Sequence, residues 1–231
     1  MSQSAVIDEL CSATPKLSVG ILAADVMEFG AGVKLLEQFG ALLHLDVMDG
    51  CVWPQITAGA SILAGLRTSL LKDVHLLIDQ PEKQIVSFAK AGADIISFSV
   101  EHCDDIAATL DLIGQQQNAN DPARGIVRGV SLDPGTPVDA IRPVADKVDL
   151  VTLLAVGPTT GKQNFIADLP AKIAAVRALD ERIVIFVDGA VTKDNIGQLA
   201  AMGPDGIVTG SAAFAGNPAE NIQYMLEQIR G

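Results

Sequence analysis

The segment His44-Leu45-Asp46-Val47-Met48-Asp49-Gly50 closes an apolar run with an imidazole and a carboxylate two residues apart. In an extended chain that spacing puts both side chains on one face. A second imidazole, His75, stands in Asp73-Val74-His75-Leu76, and a further carboxylate, Asp188, ends the run Ile183-Val184-Ile185-Phe186-Val187. If these three run ends share one rim, two imidazoles and two carboxylates converge there. That donor set suits one divalent metal ion: Zn²⁺, Fe²⁺, Mn²⁺ or Co²⁺. Each side chain alone can be accounted for by a bond to a neighbouring strand or by a helix cap. Two of the chain's 3 histidines ending apolar runs favours the joint reading. The remaining one, His102, follows Glu101 and reads as a solvated loop residue.

A second constellation lies late in the chain, in Val187-Asp188-Gly189-Ala190-Val191-Thr192 and Val208-Thr209-Gly210-Ser211-Ala212. Small residues before helix starts leave backbone N–H groups exposed, and such groups attract dianions. Gly189, Ala190, Gly210 and Ser211 are therefore the expected phosphate contacts. Glycines that only make tight turns are the plainer alternative. The stretch Gly157-Pro158-Thr159-Thr160-Gly161-Lys162-Gln163 has the composition of a mobile lid, with Gly161 and Lys162 approaching the same phosphate. It is not a nucleotide P-loop. Gln163 stands where that motif needs Ser or Thr, and Val156 stands where it needs its first Gly.

The elements that must position these residues follow from periodicity. Short runs rich in Val, Ile and Leu recur near residues 17–22, 42–47, 72–78, 94–100, 126–131, 149–154, 183–188 and 205–210. Helical periodicity is expected over 26–38, 81–90, 104–116, 137–146, 168–179, 192–202 and 218–229. Asp25, Asp104 and Asn217 suit helix starts, Pro81, Pro137 and Pro218 suit first turns, and Gly40, Gly92 and Gly203 suit helix ends. Strand followed by helix, repeated through 231 residues without a linker, predicts one α/β domain, a single (β/α)₈ TIM barrel over 1–231. A doubly wound open sheet is the alternative, but no Gly-x-Gly-x-x-Gly follows the first run. In a barrel, function gathers at the carboxyl ends of the strands, where the metal and phosphate candidates fall.

Composition bounds the partners. Lys plus Arg total 16 against 28 Asp plus Glu, a net charge of −12, which argues against nucleic-acid binding through a basic face. A hydrophobic share of 49% supports a large core. Cys11, Cys51 and Cys103 form an odd set with no Cys-x-x-Cys spacing, so neither a disulfide framework nor a thiolate zinc site is expected. No apolar run reaches the roughly 18 residues that cross a bilayer, and no basic segment leads into a long apolar one near Met1. The expectation is a cytoplasmic protein with no membrane partner, its oligomeric state open and a homo-oligomer included.

With these positions assembled, the chain resembles the ribulose-phosphate 3-epimerase family along nearly its whole length. The match rests on His44-Leu45-Asp46-Val47-Met48-Asp49-Gly50, Pro54-x-Ile56-Thr57, Asp73-Val74-His75-Leu76 and Phe88-Ala89-Lys90-Ala91-Gly92-Ala93-Asp94. It continues through Leu132-x-Pro134-Gly135-Thr136-Pro137, Val187-Asp188-Gly189 and Gly210-Ser211-Ala212. The resemblance implies that His44, Asp46, His75 and Asp188 hold one divalent metal. It further implies that Asp46 and Asp188 act as acid and base on opposite faces of a phosphorylated ketose, inverting C3 through an enediolate, and that Met48 lines the site.

The chain also departs from the family pattern. Gly20-Ile21-Leu22 replaces Ser-Ile-Leu, Ser99-Val100-Glu101 replaces His-Val-Glu, and Leu77 and Leu154 stand where methionines are usual. The lid and the residue after Gly189 differ as well. The resemblance implies conversion of D-ribulose 5-phosphate to D-xylulose 5-phosphate, with a hexulose or tetrulose phosphate as alternative substrates. An aldol lyase of the hexulose-phosphate synthase type fits less well, because inversion is what needs a second acid on the far face. A sugar-phosphate-binding barrel without turnover is a third alternative.

Overall fold

The eight apolar runs form eight strands: β1 (Lys16–Gly20), β2 (Leu42–Met48), β3 (Lys72–Leu77), β4 (Ile95–Ser99), β5 (Val127–Leu132), β6 (Leu150–Leu154), β7 (Val184–Asp188) and β8 (Gly206–Thr209). In this computed structural model, which describes residues 4–12, 15–121, 123–158 and 165–230, they pair in sequence order, all parallel. β8 returns to β1 and closes the barrel. The α-helices are α1 (Ser4–Cys11), α2 (Phe29–Phe39), α3 (Ala60–Gly65), α4 (Ile85–Lys90), α5 (Ile106–Gly114), α6 (Leu169–Leu179), α7 (Ile196–Ala200), α8 (Ser211–Phe214) and α9 (Pro218–Arg230). None is long and apolar enough to cross a membrane.

Two apolar clusters result from the alternation of side chains along each strand. The larger joins the outward faces of the strands to the helices, through residues such as Leu43, Leu45, Leu76, Phe98, Val130, Leu153 and Ile185. The smaller fills the barrel floor with Leu42, Leu71, Ile95, Val127, Leu150, Val184, Phe186 and Val208, and Val6 and Leu10 of α1 pack against it from below. Phe186 fits there because Gly206, its partner across β8, has no side chain; a Cβ at Gly206 would come within 2.4 Å of the Phe186 ring. Counting upward by two from the floor identifies the residues facing the barrel mouth: Gly20, His44 and Asp46, Asp73 and His75, Ser97 and Ser99, Ser131, Leu154, and Asp188.

The helical expectations hold in position and differ in detail. The segment predicted as a helix over 137–146 is a 3₁₀ helix, Val138–Lys147, with Pro143 inside it. Proline there supplies no N–H and crowds the preceding turn, so an α-helical ladder does not propagate. Asp25 caps a short 3₁₀ turn before α2 by accepting from the Met27 amide. At α5 the cap is Asp105, which accepts from the Ala108 amide, rather than Asp104. Gly40, Gly92 and Gly203 all adopt positive φ at helix ends, as expected. α1, α3 and α8 were not anticipated.

Candidate active site

β2 and β3 lie in register so that His44 sits beside Asp73 and Asp46 beside His75. All four are inward-facing, which makes a two-by-two block of imidazoles and carboxylates on adjacent strands. Asp188, at the end of β7, reaches it from across the barrel: His75 Nδ1 is 3.4 Å from Asp46 Oδ1 and 3.4 Å from Asp188 Oδ2. One donor atom each from His44, Asp46, His75 and Asp188 lie within 4.8 Å of one another. The sequence-predicted donor set is therefore gathered at one place.

His44 is buried between two carboxylates, with Nδ1 2.7 Å from Asp73 Oδ2 and Nε2 3.0 Å from Asp46 Oδ1. Asp73 also accepts from Ser18 Oγ at 2.9 Å, which fixes the carboxylate that holds the ring. Burial alone would lower the His44 pKa, but Asp46 and Asp73 outweigh it and raise it well above the ordinary value. Burial likewise opposes charge on His75, and the carboxylates of Asp188 and Asp46 carry its pKa up to about 9. Asp46, whose burial would raise its pKa, is held well below the usual carboxylate range by His44 and His75.

His75 is fully buried, yet among the described residues neither ring nitrogen has a hydrogen-bond partner; its two carboxylate neighbours stand at ion-pair distance without hydrogen-bond alignment. A buried imidazole with no partner is costly. The carboxylates beside it are part-exposed, Asp46 30% and Asp188 16%, and a divalent cation placed among them would satisfy the imidazole. The two nitrogen and two oxygen donors fit such an ion.

The loop after β2 is laced onto the strand end. Thr57 Oγ1 donates to the Asp46 carbonyl at 2.7 Å and accepts from the Met48 amide at 2.8 Å. Burial raises the Asp49 carboxyl pKa, but the amides of Asp79, Cys51 and Val52 donate to it and together bring it below its ordinary value. Met48 is thus held, half-buried, one alternation beyond Asp46.

On the adjacent ends of β7 and β8, Gly189 has φ 95° and Ala190 φ 56°. A Cβ at Gly189 would come within 2.5 Å of Val156 Cγ2, so close approach as well as backbone conformation requires glycine there. Asn195 braces the turn by donating to the Ala190 carbonyl and accepting from the Thr192 amide, both at 2.8 Å. Gly210 precedes Ser211 at the start of α8. Gly161 and Lys162 lie outside the described residues.

Sequence reasoning missed three contributors. Asp73 lies in Asp73-Val74-His75-Leu76, and its place two residues before His75 is the available signal. Thr57 closes Pro54-x-Ile56-Thr57, but its bracing role depends on how the loop folds back. Asp133 follows β5 and has a half-buried carboxyl whose pKa is raised to about 6 by burial and by neighbouring Glu101; nothing local in the sequence marks it.

The comparisons with known proteins agree with this geometry. The family model described as "Ribulose-phosphate 3 epimerase family" matches residues 16–214. The chain belongs to the ribulose-phosphate 3-epimerase family. It is 38% identical over 224 residues to the ribulose-phosphate 3-epimerase of Bacillus subtilis (strain 168), covering 94% of this chain and 98% of that protein. A Synechocystis ribulose-phosphate 3-epimerase is 41% identical over 212 residues, covering 87% and 89% of the two chains. A Salmonella typhi protein named "Putative epimerase LsrE" is 37% identical over 204 residues, covering 86% and 80%. Among solved structures, KGPDC from Streptococcus mutans superposes with a TM-score of 0.67 at 15% identity, over 94% of this chain and 98% of that one. A match at that identity speaks to the barrel alone. This member of the ribulose-phosphate 3-epimerase family thus carries its His/Asp cluster at the strand ends where barrel enzymes place their chemistry.

Proposed function

We propose that this protein is a metal-dependent epimerase that inverts C3 of a phosphorylated ketose, converting D-ribulose 5-phosphate to D-xylulose 5-phosphate. The observation that carries the reading is the gathering of His44, Asp46, His75 and Asp188 donors within 4.8 Å around a buried imidazole that has no hydrogen-bond partner among the described residues. Family membership and relatives at 38% and 41% identity named for this reaction support the pentulose phosphate as substrate.

In this reading His44, Asp46, His75 and Asp188 hold one divalent ion, Zn²⁺, Fe²⁺, Mn²⁺ or Co²⁺. When bound, it supplies a positive charge near the substrate oxygens on which negative charge develops. Asp46 and Asp188 approach from β2 and β7, strands that β8 and β1 separate in the closed barrel. Asp46 takes the C3 proton from one face while Asp188 delivers a proton to the other, and inversion follows from that separation. Met48 excludes water from the reacting carbon. The substrate phosphate rests between Gly189-Ala190 and Gly210-Ser211.

The test is C3 exchange in deuterated water with metal-loaded protein and a panel of phosphorylated pentuloses, hexuloses and tetruloses. Deuterium at C3 accompanied by the xylulose product is expected. Asp46→Asn and Asp188→Asn should each slow it by about 10²–10⁴-fold, the usual worth of a positioned acid or base. Exchange that persists at the parent rate in both variants, with metal content unchanged, rules the two-carboxylate mechanism out. Epimerisation of a hexulose or tetrulose phosphate in preference to the pentulose would reassign the substrate.

A further inference from the structure

Next to β3 in the barrel, β4 and then β5 present polar residues that the proposed chemistry does not use. Ser99 and Ser131 are buried and inward-facing, their hydroxyl oxygens 3.5 Å apart. Just past the end of β5 stands Asp133. Its backbone is clamped from both sides: the amide donates to Glu101 Oε1 at 2.8 Å, and the carbonyl accepts from Lys172 Nζ at 2.7 Å and from the Thr136 amide at 3.0 Å. Lys172 also donates to the Thr136 carbonyl at 2.9 Å, so its ammonium is spent on the backbone.

The carboxylate itself is left over. Among the described residues no donor is bonded to it, although Asp133 is part-buried, and the charged groups around it are Glu101, His102, His75 and Lys172. Three backbone bonds thus fix the position of a carboxylate that no donor among the described residues engages, just past the end of β5. Such a group is preorganised to accept hydrogen bonds from outside.

We propose that Asp133 is a substrate-binding residue: its carboxylate accepts hydrogen bonds from hydroxyl groups of a phosphorylated polyol chain, with the Ser99 and Ser131 hydroxyls below it. The assignment rests on the sugar-phosphate reading above and extends it to the far end of the substrate. A carboxylate can accept from two neighbouring hydroxyls at once. Asp133 and Glu101 together also repel a phosphate dianion, which steers the phosphate to the β7–β8 side and orients the sugar along one line across the cluster.

The experiment compares metal-loaded parent, Asp133→Ala and Asp133→Asn by calorimetry with a pentitol 5-phosphate, which has no carbonyl and is not turned over, and with inorganic phosphate. The same proteins are assayed for KM and kcat on the ketose phosphate. Asp133→Ala should weaken pentitol phosphate binding about tenfold or more, as loss of a charge-assisted bond does, and raise KM alike with kcat within about threefold. Inorganic phosphate should bind unchanged. Asp133→Asn keeps an acceptor oxygen and should recover most of the loss. An equal loss for inorganic phosphate would assign Asp133 to loop structure and overturn the inference, as would no loss at all. A parent that binds the pentitol phosphate through Asp133 yet exchanges no C3 proton would defeat the epimerase reading alone. An active parent with an unaffected Asp133→Ala variant would defeat this inference alone.

Discussion

His44 and Asp73 show how one buried pair sets the chemistry of a neighbouring donor. With Nδ1 engaged by Asp73 at 2.7 Å, the ring is fixed so that Nε2 points at Asp46 and the cluster. Removing the carboxylate frees the ring and leaves Nδ1 and Ser18 Oγ without their partner. Asp73→Ala is therefore expected to weaken divalent metal binding by about 10–100-fold, the usual cost of losing a partner behind a metal ligand. Competition against a chelator of known affinity measures it, and an unchanged affinity would remove Asp73 from the site. At this scale the sequence disclosed the donors and concealed what supports them. His44, Asp46, His75 and Asp188 are legible because their types are rare at the ends of apolar runs. Asp73 and Asp133 are not, because their roles depend on a register between strands and on a clamp from Glu101 and Lys172 that are distant in sequence.

Among the elements, the βα loops carry the contrasts that decide function. Gly189 and Ala190 are neighbours that both adopt positive φ, but only Gly189 is also crowded, with Val156 Cγ2 at 2.5 Å from a notional Cβ. Opposite outcomes are expected. Gly189→Ala should cost about 2–4 kcal/mol, from overpacking added to backbone strain. Ala190→Gly should stabilise by about 0.5 kcal/mol, since relief of a left-handed alanine slightly exceeds glycine's added freedom when unfolded. Urea titration of both variants checks the pair, and a destabilised Ala190→Gly would show that the alanine methyl makes a contact worth more than its strain. The elements themselves were legible wherever periodicity was long. The departures have local causes: Pro143 turns an expected α-helix into a 3₁₀ helix, and α3 and α8, of 6 and 4 residues, are too short to show a period. α1 was invisible for another reason. Val6 and Leu10 gain their meaning only from a barrel floor made by residues of six strands and by Leu71, just before β3.

For the molecule as a whole, the donor cluster ties together β2, β3 and β7, which are distant in sequence and share one closed sheet. Metal bound there is bound to the folded state and not to the unfolded chain, so it must stabilise the entire barrel. At a free metal concentration about 100 times Kd the gain is about 2.7 kcal/mol. For a chain of this size that corresponds to a rise in Tm of about 5–10 °C. The rise must also depend on pH, and the sign follows from the metal-free imidazoles. His44 and His75 both have raised pKa values, His75 up to about 9, so below that pH the apo protein holds protons that the metal has to displace. Each proton displaced weakens apparent affinity about tenfold per unit of falling pH, or about 1.4 kcal/mol. The metal-induced rise in Tm, measured by calorimetry against a chelator-treated control at fixed total metal, should therefore be larger at pH 8 than at pH 6. In His75→Ala it should be small at both. An equal rise at the two pH values would mean that the metal displaces no proton from His44 or His75, and would place it elsewhere on the molecule.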